Sequence, residues 1–196
     1  MQSVLMRWKL IALFGLAVGF SSCAQLSPQL LTFESDLASD EVVHAPVTMT
    51  ITVKDNRDEQ VIGYRGGIYS DTSTIESKQP LAAQVEQIAA DAFTSGGAEI
   101  TTTFPQFDVQ ISIDEFSYVS EEVKTGIKRS TGTAKMSIAV TSGQGTFKNS
   151  FKTSEYIETL GYPSEEQNEE LLSNIFNSVM KRMLSDPELE LFLSQY

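Results

Sequence analysis

The sequence predicts an α+β fold: an antiparallel-dominated sheet, made of a first strand, a helix crossover and then a strand meander, with two main helices packed on one face. Three observations carry that prediction. Residues 47–53, VTMTITV, alternate strictly between apolar and threonine side chains, the period-2 pattern of a half-buried strand. Residues 81–93 and 171–184 place their apolar side chains at helical spacing instead. Between the two helical segments lie alternating runs separated by short polar turns, which favours antiparallel pairing of consecutive strands.

The first strand sets Val47, Met49, Ile51 and Val53 on one face and Thr48, Thr50 and Thr52 on the other. KDNRDEQ, residues 54–60, ends it with turn-forming side chains. VIGYRGGIY, residues 61–69, reads as a short strand and a glycine-rich loop that needs positive φ. The first helix opens at Pro80, a residue suited to the first turn, and stops at Gly96-Gly97. Leu81, Val85, Ile88, Ala89, Ala92 and Phe93 share its apolar face. AEITTTF, residues 98–104, reads as the next strand.

In FDVQISI, Phe107, Val109, Ile111 and Ile113 point inward. After Asp114-Glu115 the phase flips to Phe116 and Tyr118, which a β-bulge explains. SEEVKTG, residues 120–126, reads as a polar turn or loose hairpin end. GTAKMSIAV (132–140) and, across the short SGQG turn, TFKNSFKTSEYI (146–157) complete the meander. Ser164 and Gln167 stand at capping-box spacing. The helix they open carries Leu171, Leu172, Ile175, Phe176, Val179 and Met180 in a stripe wide enough to lie on a sheet. Lys181 and Arg182 sit near its C-terminal end, where the helix dipole favours cations. Asp186-Pro187 starts a short last helix.

Length and composition indicate one folded domain with a tail. The 26 acidic residues outnumber 14 basic ones, a net charge of −12. Such a surface repels phosphate backbones and anionic head groups, so nucleic-acid binding is not expected. One cysteine, Cys23, leaves no intrachain disulfide.

Cys23 closes an N-terminal segment with three parts: Arg7 and Lys9, then an apolar run of 11 residues (10–20), then Ser21 and Ser22. A helix spanning a bilayer needs about 20 apolar residues. The shorter run with a basic start and a small-residue end reads as a secretory signal over residues 1–22. A buried core helix of that length would not explain either flank. FSSCA resembles a bacterial lipobox, with Ser21, Ser22 and Cys23 matching and Phe20 standing where Leu is usual. The resemblance implies a diacylglyceryl group on the Cys23 sulfur, cleavage before Cys23, and acylation of the new amine. Ala24 rather than Asp after the cysteine points to the outer membrane under the sorting rule of enterobacteria-like cells. Removing residues 1–22 takes two basic residues with it and leaves −14. Residues 23–46 then form a lipidated N-terminus and a tether, docked by Leu30, Leu31 and Phe33, and residues 47–196 form a single periplasmic α+β domain.

The chain resembles the YajG family of bacterial lipoproteins. Cys23, the stretch VTMTITVKDNRDEQVIG with Asp55 and Arg57 in a D-x-R arrangement, and MLSDPELELFL near the C-terminus carry the resemblance across nearly the whole mature chain. It implies an outer-membrane lipoprotein facing the periplasm, with no established enzymatic role and no catalytic residue to carry over.

The residues read without the family agree with a non-catalytic domain. Nucleophilic catalysis by Cys23 or a serine needs a base, and the single histidine, His44, falls in the tether. One histidine and a lipidated cysteine make no zinc or iron set, the acidic runs lack the twelve-residue calcium-loop pattern, and no metal or other cofactor is expected. Asp114 and Glu115, adjacent on a strand, would point to opposite faces rather than flank one glycosidic bond. Asp55 with Arg57 is either a recognition point or a pair that orders its own turn. The expectation is a membrane-held domain, anchored by lipid on Cys23, that binds an envelope protein or a second copy of itself. An envelope glycan or lipid hydrolase is the alternative, and a lipid or glycan carrier the third.

Overall fold

The computed structural model describes residues 26–35, 37, 42–67 and 70–195. The expected signal segment 1–22 and the expected lipidation site Cys23 lie outside the described residues. Among the described residues eight strands form one sheet: β1 (Gln29–Leu31), β2 (Thr48–Asp55), β3 (Gly63–Tyr64), β4 (Thr74–Ser77), β5 (Glu99–Ile100), β6 (Phe107–Lys124), β7 (Ile127–Thr141) and β8 (Thr146–Leu160). Among the described residues three α-helices accompany them: α1 (Leu81–Ser95), α2 (Glu165–Leu184) and the short α3 (Pro187–Ser194). Among the described residues no helix is long and apolar enough to cross a membrane.

The fold is α+β, but its sheet is mixed rather than antiparallel-dominated. Four of the seven strand pairings are parallel: β1 with β4, β2 with β5, β2 with β6 and β3 with β6. The reason is the connections. A strand that returns through a helix or long loop re-enters from the same end and pairs parallel, as β2 and β6 do across α1. Only the strands joined by tight turns, β6 to β7 and β7 to β8, form long antiparallel ladders. β2 and β3 share one edge of β6, with β2 along Phe107 to Ile113 and β3 at Tyr118. Between these two contacts Asp114 is the extra residue of a bulge, where the register to β7 shifts. That bulge produces the phase flip seen in the sequence, so Phe116 and Tyr118 stay buried.

The strand expected over residues 98–104 stops after two residues. β5 lies on one edge of β2 and β6 on the other, so residues 101–106 must pass around the start of β2. Phe104 turns there with φ 51° and stands in solvent. The Gln106 side chain closes the passage by accepting from the Thr48 N–H at 2.9 Å.

The meander reaches further than its apolar alternation. β6 runs to Lys124 and β7 begins at Ile127, leaving Thr125 and Gly126 (φ 75°) as the turn. This end protrudes beyond the core, so its residues need no apolar face.

The helices lie over one face of the sheet, α1 against β2 and α2 against β7 and β8. One core fills the layer between, with Phe93, Phe107, Phe116, Phe176 and Met136 fully buried. α2 opens with the expected reciprocal cap: Ser164 Oγ accepts from Gln167 N–H, and Gln167 Oε1 accepts from Ser164 N–H. The core also takes in residues before Val47. Phe33 packs against Phe116 and Phe176, with ring centroids 5.1 and 5.0 Å away. Val43 donates to the Leu184 carbonyl and Ala45 to that of Gly96, which ties this segment to the ends of both main helices. Leu31 is buried beside them, whereas Leu30 points outward.

Candidate interaction surface

Asp55 ends β2, and Arg57 follows at the start of the turn. The Arg57 guanidinium grips the carboxylate with both forks, Nε to Oδ1 at 2.9 Å and Nη2 to Oδ2 at 2.8 Å. The Arg57 N–H also donates to Oδ1 at 3.2 Å, and Nη1 reaches the Phe116 carbonyl at 3.3 Å. Burial pushes the Asp55 carboxyl up, but the hydrogen bonds and charge of Arg57 together outweigh it and hold the group below its ordinary value. The arginine side chain is only 8% exposed, so the pair presents little to a ligand and clamps the end of β2 onto the bulged strand β6.

The bulge changes the geometry of the next two carboxylates. In a regular strand Asp114 and Glu115 would face apart, but here both lie on the sheet face away from the helices. Asp114 accepts from Ser137 and, at 3.4 Å, from Asn56 Nδ2. Glu115 accepts from Lys152 Nζ at 3.0 Å and from Ser117 at 3.2 Å. Each is engaged by its own neighbours. Beside them a shallow groove of about 520 Å³ runs over Gln110, Ser112, Ser137, Lys148 and Ser150.

His44 is exposed at the rim of a second surface cleft, near Pro187, Glu190 and Ser194. The Ser194 hydroxyl donates to the Leu191 carbonyl at 2.9 Å. Among the described residues no hydrogen bond joins Ser194 or Glu190 to His44, and no group of three or more His, Cys, Asp or Glu side chains is placed to hold a metal ion.

Arg65 had no signal in the sequence beyond the YRGG loop. It is buried, and Nη1 donates to the Ser27 carbonyl at 2.9 Å and to Glu165 Oε1 at 2.6 Å. Gln29 Nε2 donates to the Glu165 carbonyl, and Asn168 Nδ2 to Gln29 Oε1. The Tyr118 hydroxyl stands 2.8 Å from Asn168 Oδ1 and 2.9 Å from Ser130 Oγ. Burial pushes the Tyr118 phenol up, partly offset by Ser130, Ser120 and the Arg65 charge. This network joins the β1 segment, the start of α2 and the centre of β6. It gathers residues up to 139 positions apart, which no short motif displays.

The most open feature is an edge. β8 pairs with β7 alone, in register over all 15 of its residues. Its Lys152 carbonyl accepts a hydrogen bond from Arg182 at 2.8 Å, and the Ser150 N–H donates one to Asn149 Oδ1 at 2.8 Å. Both groups therefore point away from β7, and by the alternation of an antiparallel ladder so do those of Ser154, Tyr156 and Glu158. Those three have no backbone partner on that side among the described residues. Tyr156 and Val119 are exposed on the outer face of this half, flanking Thr131 in the register. Arg129 lies over the Tyr156 ring at 4.9 Å.

A family model described as "Uncharacterized lipoprotein" matches residues 37–194. No curated protein matches the chain. Among solved structures, the chain is similar to protein XCC0632 of Xanthomonas campestris at 11% identity and TM-score 0.49, covering 86% of this chain and 97% of that one. A minor lipoprotein of Acinetobacter baumannii aligns at 7% identity and TM-score 0.40, covering 75% and 94%. The PelC dodecamer of Paraburkholderia phytofirmans aligns at 9% identity and TM-score 0.38, covering 79% and 92%.

Proposed function

The chain belongs to this family of uncharacterized lipoproteins, the YajG family, and on that premise we propose a lipid-anchored domain of the outer membrane that faces the periplasm and binds an envelope protein without catalysing a reaction. The anchor is the acylated Cys23. One acyl chain holds a protein only reversibly, whereas two or three hold it stably. The observation that carries the binding role is the β8 edge. Its outward N–H and C=O groups at Ser154, Tyr156 and Glu158 are a template for one more strand, and Tyr156 and Val119 add apolar contact beside it. The first half of the edge is blunted by Arg182 and by Lys148 and Lys152, which directs a partner strand to the second half.

The test is site-specific photocrosslinking in intact cells, with the probe at Ser154 or Tyr156 and, as a control, at the solvent-facing Glu86 of α1. A specific envelope protein captured from the β8 positions and not from Glu86 is expected. Capture of a second copy of the chain assigns the edge to self-association. The same recovery from all three sites, or none, removes the edge from consideration. For the anchor, Cys23→Ser is expected to release the protein from the outer-membrane fraction.

A further inference from the structure

The register shows which end of the domain the N-terminal segment enters from. Gln29 stands level with Ile75, Ile75 with Gly63, and Gly63 with Tyr118. β3 runs parallel to β6, β4 antiparallel to β3, and β1 parallel to β4. The chain before Gln29 therefore leads toward the β6–β7 turn at Thr125 and Gly126. Cys23 lies six residues before Gln29, and Thr125 seven beyond Tyr118. At ~3.3 Å per extended residue both spans come to roughly 20–23 Å. Chain continued in extended form along this line would carry a lipid on Cys23 to the height of the hairpin tip.

The anchor is also short. Ser27 is held by Arg65, and a β-carbon on Gly67 would lie 3.5 Å from Leu26. Three residue steps separate Leu26 from Cys23, at most about 11 Å of chain. Residues 27–33 of the expected 23–46 tether are bound to the domain.

This end carries what a bilayer interface accepts. Leu160, opposite Ile127 at the tip, is 88% exposed, and Tyr162 beside it is 41% exposed. The Tyr162 ring occupies the space next to Gly66, adjoining the point where Leu26 enters. Lys128 lies over that ring at 4.9 Å. Residues 121–129 and 158–162 hold Glu121, Glu122 and Glu158 against Lys124, Lys128 and Arg129, a balance of zero on a chain of −12. An apolar tip and an aromatic ring with a lysine beside it match the interfacial layer, and the neutral rim avoids repulsion by phosphate headgroups.

We propose that the β6–β7 hairpin end rests on the phospholipid surface to which Cys23 is tethered, with Leu160 and Tyr162 seated in the headgroup layer. This deepens the lipoprotein reading and depends on lipidation of Cys23. The domain then stands with β8 rising from the membrane and the β7–β8 turn farthest from it.

The processed protein offers a clean probe, because the chain's one tryptophan, Trp8, lies upstream of Cys23. L160W and G143W are each prepared as the full lipidated protein and reconstituted in phosphatidylethanolamine–phosphatidylglycerol vesicles containing brominated acyl chains. Gly143 is the control, in the β7–β8 turn, where an added β-carbon meets nothing within 4 Å. The length of β7 places it about 45–50 Å from Leu160. L160W is expected to lose roughly half or more of its emission, given insertion to ~5–10 Å, with G143W unquenched. Lipidated, vesicle-bound protein with L160W unquenched, or with both quenched alike, overturns the orientation while leaving the anchor intact. An intact mass without lipid on Cys23 overturns the anchor and the orientation with it. Shielding of L160W from acrylamide in a lipid-free dimer gives the patch to a second copy and overturns the membrane assignment.

Discussion

Replacing Arg57 by alanine tests whether the D-x-R pair is an architectural clamp. The substitution removes two charge-assisted hydrogen bonds of 2.9 and 2.8 Å to Asp55 and a longer one to the Phe116 carbonyl. Hydrogen bonds to charged groups contribute about 1.5–3 kcal/mol each, but Asp55 remains 24% exposed and can recruit water. A net loss of about 2–3 kcal/mol at pH 7 follows, below the cost of orphaning a fully buried charge. The pH dependence separates this cause from lost packing. Asp55 has its folded-state pKa lowered from 3.8, so its contribution is present above that value and disappears as pH falls through the lower folded one. The gap between wild type and R57A, measured by urea unfolding, should therefore be widest near neutrality and shrink toward pH 3. The double variant D55N/R57A should lose less than the sum of the two single losses. A gap that stays constant from pH 7 to pH 3, or additive losses, would refute the clamp. Binding of the captured partner should survive R57A wherever the domain stays folded.

Two further outcomes follow from the core. Tyr118→Phe leaves Asn168 Oδ1 and Ser130 without the phenol and should cost about 1–2 kcal/mol at pH 8 by denaturant unfolding. Since burial raises the phenol above 10.0, the tyrosine's advantage should fade as pH climbs beyond 10, and an undiminished difference at pH 11 would count against this account. Gly63→Ala would place a β-carbon 2.2 Å from the Tyr118 carbonyl oxygen, a backbone atom that cannot rotate away. It should lower stability by about 2 kcal/mol or more and separate β3 from β6, read as faster amide exchange at Tyr118.

The legible parts of this fold were those governed by local periodicity. The strict alternation of residues 47–53, the stripe of α2, its Ser164–Gln167 cap and the phase flip at Asp114 each report a backbone geometry spanning a few residues. What failed was governed by partners far away in the chain. β1 and β4 hold three and four residues, too few for a pattern, and exist because they pair with one another. The ends of β6 beyond Val119 and of β7 before Ser130 are largely polar, so apolar alternation fades there while the ladder continues. The 98–104 strand read well by composition and ended early because the chain had to round β2.

The sequence by itself determined the helices, the meander and the family, because side-chain period, caps and motif order are written along the chain. The tertiary structure alone decided the parallel pairings, the shared face of Asp114 and Glu115, and the burial of Arg65 between Ser27 and Glu165. It also decided that residues 27–33 are bound to the domain, through Arg65, β4 and the ring of Phe116. Those features depend on which strands become neighbours, and neighbours are chosen by burying the common core rather than by any local stretch of residues.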